Sequence, residues 1–348
     1  MTCRKRILTL SLSILIMAVA SLHGQQGSEG SPAVSAPPPA GGARTPVKNA
    51  ENWSALPLKS SGLDTSRMNV TRVSLWEKED YTEELLRAQW RPNDPIDLYI
   101  VRPKGKEKVP AILYLYDYSN DTERFRTESW CKRMTQGGFA AVGFISAVSG
   151  DRIHSPRPLK TTFVGELQEA LGTSVHDVQM ILNYLETRGD IDVGHSGMFG
   201  QGSGASIAVM AAAVDPRITT LDLYNLWGDW PDWLRESPVV PQEERAKYVT
   251  PEFLKKVEKL DPALYLPQLE SQHVRIEYVM DDETMPKSML QVMLNATPKN
   301  AEVLRYDDEG QHMDEWHKWG LSGWIKAQLK PGWTPIPTDA APAVPSGN

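Results

Sequence analysis

The segment GMFGQGSGASIAVMAAAVDPR, starting at Gly197, places four glycines within eight residues between a short apolar run and a helix of small residues. A strand, a glycine-dense turn and a small-residue helix make the local shape that lifts a nucleophilic side chain out of a sharp strand-to-helix turn. Such an elbow needs small residues two before and two after the nucleophile, because a side chain at either place would meet the turning chain. With position 202 as the nucleophile those neighbours are Gly200 and Gly204. With Ser203 they would be Gln201 and Ala205, and Gln201 is too bulky. The register that fits therefore puts Gly202 where acyl transfer would require a hydroxyl. Ser203 is the candidate for a displaced nucleophile. Its plainer roles are to cap the following helix or to offer its backbone N–H to an oxyanion.

This strand and elbow resemble those of α/β-hydrolases of the dienelactone hydrolase and acetyl xylan esterase branch, which carry GxSxGG at this point. The approach, LETRGDIDVGHSGMFG, is similar to that branch's helix, Asp-rich turn and strand. The resemblance implies a serine nucleophile at position 202, and here the sequence departs from it. It also implies that Asp282, in VRIEYVMDDETMP, is the triad acid and that His312, in LRYDDEGQHMDEW, is the general base, with Asp281 as the competing acid. His312 would take the nucleophile's proton, while Asp282 would fix its tautomer and stabilise the imidazolium. Taken singly, Asp282 reads as a turn-capping aspartate and His312 as a solvated loop histidine. The second oxyanion donor would come from the loop after the strand 111–116. Relatives commonly have His-Gly there, and this chain has Tyr116, Asp117 and Tyr118. An aspartate beside a developing oxyanion is unhelpful unless it points away. Losing the nucleophile of such a triad lowers turnover on the order of a million-fold.

Positioning these residues calls for an open, mostly parallel sheet, and the sequence alternates apolar runs with helix-spaced segments accordingly. Strands are expected at 70–76 and 96–102, as an antiparallel start around a turn-rich stretch, and then at 111–116, 140–145, 197–200, 218–223, 274–279 and 301–306. Helices are expected ending at Gly137 and Gly138, over 175–188 and 204–214, and last over 313–328, with His312 in the loop just ahead. The fold expected is thus α/β, a single α/β-hydrolase domain over 53–330 with a small lid over about 226–267. In the lid, Trp227, Trp230 and Trp233 recur every third residue beside Asp229 and Asp232. Indole faces near carboxylates suit sugar rings or aromatic acyl groups, while a Trp-rich lid packed on the sheet needs no ligand at all.

Arg4, Lys5 and Arg6 precede an apolar run too short to span a bilayer comfortably, so residues 1–24 read as an export signal. Residues 25–52 form a Pro/Ser/Gly/Ala-rich linker and 331–348 a frayed tail, compositions that bury too little apolar surface to fold. Loss of the signal takes the net charge from −7 to about −10, which disfavours nucleic acid as a partner. Only Cys131 then remains, so no intramolecular disulfide is expected. His312 and His317 are five apart, on different helix faces, and no HExxH occurs, so no metal or other cofactor is expected. Two functions survive. One is an exported carboxylic-ester hydrolase using Ser203, Asp282 and His312. The other is a pseudo-hydrolase that holds a small ester, sugar or peptide without cleaving it, with no membrane contact after signal removal.

Overall fold

The computed structural model describes residues 51–105, 107–118, 122–152, 159–269, 272–320 and 322–334. The expected signal and nearly all of the expected linker lie outside the described residues, as does the tail from 335 on. Nine strands form one sheet: β1 (Asn69–Glu77), β2 (Tyr81–Arg91), β3 (Asp94–Pro103), β4 (Val109–Leu115), β5 (Ala140–Phe144), β6 (Ile191–Gln201), β7 (Ile218–Tyr224), β8 (His273–Val279) and β9 (Glu302–Tyr306). Their order is β1-β2-β3-β5-β4-β6-β7-β8-β9. The pairings among β1, β2, β3 and β5 are antiparallel, and those from β5 through β4 to β9 are parallel. Antiparallel neighbours can be joined by tight turns, whereas parallel ones need crossovers, which is why no helix interrupts β1 to β4 and helices connect the strands that follow.

The central strands β4 and β5 are buried along almost their whole length, as continuous apolar runs covered on both faces must be. On one face lie the long crossover helix Leu167–Thr187 and the elbow helix Ser203–Ala212, every residue of which is buried. The small side chains of that helix let it approach closely: a Cβ on Gly204 would stand 2.2 Å from the Leu115 carbonyl oxygen. The opposite face carries an aromatic layer that includes Tyr114, Phe125, Trp130, Phe199 and Tyr306.

Three expectations need correcting. The stretch read as turn-rich is β2, which pairs with both β1 and β3. Its strand pattern is hidden in the sequence by charged residues that find partners in the fold: Arg87 meets Asp97 on β3 at 2.7 Å, and Glu84 meets Arg188 at 2.6 Å. The last helix is two, Glu309–Trp319 and Gly323–Leu329, separated at Gly320 with φ 72°. His312 lies in the first turn of the former rather than in a loop, because Asp308 caps that helix by accepting the Gln311 N–H at 2.9 Å. The folded region also exceeds 53–330 at both ends. Glu51 is buried against Arg91, and Trp333 packs on Phe139 and over Gly137.

Between β7 and β8 the expected lid folds as the short helices Trp230–Glu236, Arg245–Tyr248 and Pro251–Val257, followed by single 3-10 turns. Asp261 pins it, its carboxylate accepting backbone N–H groups of Asp229, Trp230 and Ala263 at 2.9 to 3.1 Å.

Candidate functional site

The elbow is formed at the carboxyl end of β6. Gly202 has φ 54° and ψ −116°, a backbone conformation that L side chains rarely adopt and that strained functional turns retain. A Cβ on Gly200 would lie 2.5 Å from Ala205 Cα. Together with the clash at Gly204, this gives the two flanking glycines the steric reason inferred from the sequence. A Cβ on Gly202 itself would meet the indole of Trp227 at 3.1 Å and Asp117 Cβ at 3.4 Å. Position 202 thus carries no side chain and is roofed by Trp227.

Ser203 is buried, and its hydroxyl accepts the backbone N–H of Tyr118 at 3.0 Å. Tyr118 stands in the loop from which the second oxyanion donor would come, so this hydroxyl occupies a donor that catalysis would aim at substrate. Tyr118 also stacks on Phe163, with ring centroids 4.4 Å apart, and both rings border Trp227. Tyr116 points to the other face of the sheet, into the aromatic layer, with Arg124 over its ring. Asp117 remains beside the elbow, and Gln201 ends β6. Trp230 and Trp233 are fully buried and Trp227 nearly so; they pack on one another and act as core of the lid.

Asp282 follows β8 and His312 follows β9. Asp282 accepts the Thr284 N–H at 2.7 Å through Oδ1 and the Asn225 amide at 2.5 Å through Oδ2. This is a turn-capping aspartate. Asn225, at φ 47°, ties the ends of β7 and β8 together, since its Oδ1 also accepts the Val279 N–H at 2.9 Å. Asp281 is exposed.

His312 is 4% exposed and sits in an aromatic box. Its ring stacks flat on Tyr224, centroids 4.2 Å apart, with Tyr306 and Trp316 around it. Its polar neighbours are Glu309, 3.6 Å from Nδ1, and Glu277, 3.9 Å from Nε2, both beyond hydrogen-bond distance. His312 beside Glu309 holds that carboxyl below its usual range despite partial burial, and Tyr224, whose hydroxyl donates to Glu309, acts in the same direction. Asn225, Tyr224 and Glu277 were not singled out from the sequence. They stand at strand ends with no motif around them, and only the sheet order brings them to the elbow's neighbours. Among the described residues, no group of three or more His, Cys, Asp or Glu is placed to hold a metal ion.

No protein-family model matches the chain. Among curated proteins it is 23% identical over 170 residues to YtaP of Bacillus subtilis (strain 168), described as a hydrolase, a match that takes in 44% of this chain and 56% of that one. The chain thus spans little more than half the length of this relative. Among solved structures it resembles the acetyl xylan esterase from Paenibacillus sp. R4, with TM-score 0.58 and 17% identity over 75% of this chain and 88% of that one. Acetyl xylan esterase 1 from Thermoanaerobacterium sp. JW/SL YS485 gives TM-score 0.59 and 14% identity over 75% and 90%. A dienelactone hydrolase from Klebsiella pneumoniae gives 0.50 and 16% over 75% and 99%. The chain has the α/β-hydrolase fold. At these identities the likeness is one of architecture. Position 202 follows β6, Asp282 follows β8, and His312 lies in the helix after β9.

Proposed function

We propose that this chain is an exported pseudo-hydrolase, an α/β-hydrolase fold that holds a small ester, sugar or peptide ligand without cleaving it. The observation that carries this reading is the elbow itself. Position 202 has the backbone of a nucleophile and no side chain, while the neighbouring hydroxyl of Ser203 is bound to the Tyr118 N–H at 3.0 Å. A serine hydrolase needs its hydroxyl within reach of a base that is in turn oriented by an acid. Here the hydroxyl and Asp282 each have another hydrogen-bond partner, and the His312 ring is stacked on Tyr224. Export rests on the basic and apolar start of the sequence, and ligand-holding on the retained architecture.

Carboxylic-ester hydrolysis through Ser203 with His312 and Asp282 is the competing reading, favoured by the esterase architecture of the structural neighbours. Hydrolysis of short-chain p-nitrophenyl esters by the purified protein separates the two. The pseudo-hydrolase reading expects a rate at the buffer background that neither Ser203→Ala nor His312→Ala changes. A rate well above background that both substitutions abolish would establish the esterase reading instead.

A further inference from the structure

A cavity of about 390 Å³ lies between the β8–β9 edge of the sheet and the two C-terminal helices. That volume lies within the range of small-molecule sites. Its walls include the indoles of Trp316, Trp324 and Trp333 and the phenol of Tyr306, and three carboxylates, Glu277, Glu302 and Glu315, line it against a single base, Arg275.

That base is already neutralised. Arg275 donates through Nε to Asp222 at 2.8 Å and through Nη2 to the same carboxylate at 2.5 Å, with Glu277 3.0 Å away. Two buried carboxylates, Asp222 and Glu277, therefore share one guanidinium, so the buried cluster holds one more acid than base. Burial, reinforced by the neighbouring Glu277, pushes the Asp222 carboxyl up against the pull of Arg275, so the excess of carboxylate at the cavity comes from its lining residues Glu302 and Glu315 rather than from Asp222. Glu302 is exposed and accepts the Trp324 indole N–H at 2.8 Å, which orients that ring at the wall. The same indoles attract cations within the protein: Arg275 lies over Trp324 at 5.2 Å, Arg124 over Trp316 at 5.7 Å and Lys326 over Trp333 at 5.5 Å. Burial lowers Lys326 to about 7, so the charge behind Trp333 is weakened at neutral pH.

Electron-rich ring faces with an excess of carboxylate attract a positive group that is large and weakly hydrated, and alkylated ammonium groups meet that description. We propose that this cavity, which adjoins the His312 box through Glu277, Tyr306 and Trp316, binds a small organic cation bearing an alkylated ammonium group.

The test is calorimetric titration of the full chain with choline, with its neutral carbon isostere 3,3-dimethylbutan-1-ol, and with xylobiose. Choline is expected to bind at least tenfold more tightly than the isostere, and xylobiose not to bind. Trp316→Ala and, as a surface change that leaves the core intact, Glu302→Gln should each weaken choline by about threefold or more, with unchanged circular dichroism. Equal binding of choline and its isostere, binding of xylobiose alone, or no binding of choline would overturn the proposal. The comparison of probes on the unmodified protein decides the matter even if a variant misfolds.

Discussion

At Gly202 the elbow lacks a side chain, and on the pseudo-hydrolase proposal supplying a serine there should not create activity. A serine Cβ would press on Trp227 at 3.1 Å, in a conformation that strains any residue but glycine by about 1–3 kcal/mol. The histidine it would need is stacked on Tyr224, and the acid is held by Asn225. Gly202→Ser should therefore leave p-nitrophenyl acetate hydrolysis at background while lowering the melting temperature by several degrees, readable by scanning calorimetry. The elbow was legible in the sequence because Gly200, Gly202 and Gly204 mark places where backbone geometry forbids a side chain, a constraint that is local. The engagements of Asp282 and His312 were not legible. They depend on Asn225 and Tyr224 at the end of β7, some 57 to 88 positions earlier in the chain, and only the sheet pairing sets them side by side.

Among the elements, the lid carries the clearest electrostatic strain. Asp229 opens the helix Trp230–Glu236 at φ 45°, and burial, then Asp232 and Asp261, pushes its carboxyl up to about 6. The folded protein keeps this proton to higher pH than the unfolded chain. The charge thus destabilises the fold progressively as pH rises from about 4 to 6, and in full above that. Asp229→Asn should raise the melting temperature by a few degrees at pH 7.5, about 1 kcal/mol once its partial exposure is discounted. The gain should narrow below about pH 4, leaving the pH-independent part due to asparagine's ease in left-handed backbone. Melting curves across pH check both. The strongly apolar strands and the long crossover helix were readable from periodicity. β2 was not, because its charged residues are satisfied across strands, and neither was the break at Gly320, which a single glycine in a helical pattern does not announce.

Across the whole molecule, the start of the folded region is fastened by a buried ion network. Arg91 holds Glu51 with a two-pronged contact at 2.6 and 2.7 Å and also reaches Asp177. Arg152 joins Asp177 to Asp94 at 2.9 and 2.8 Å, and His176 lies 2.6 Å from Glu51. Removing one partner of a buried pair leaves the other charge uncompensated, at a cost of about 3–5 kcal/mol. Glu51→Gln should lower unfolding free energy by about 3 kcal/mol in a denaturant titration, whereas Glu258→Gln, on the exposed Lys255 pair, should leave the unfolding midpoint unchanged. Composition placed the linker boundary at 52 because Glu51 carries no sign of its distant partners.

The central claim, that no nucleophile operates at this elbow, is tested most directly by exposing the full chain to a fluorophosphonate, which phosphonylates activated serines, and locating adducts by mass spectrometry. No adduct is expected on Ser203, whose hydroxyl is bound to the Tyr118 N–H. Stoichiometric labelling of Ser203, lost in His312→Ala, would contradict it and make the chain a working serine hydrolase with a displaced nucleophile.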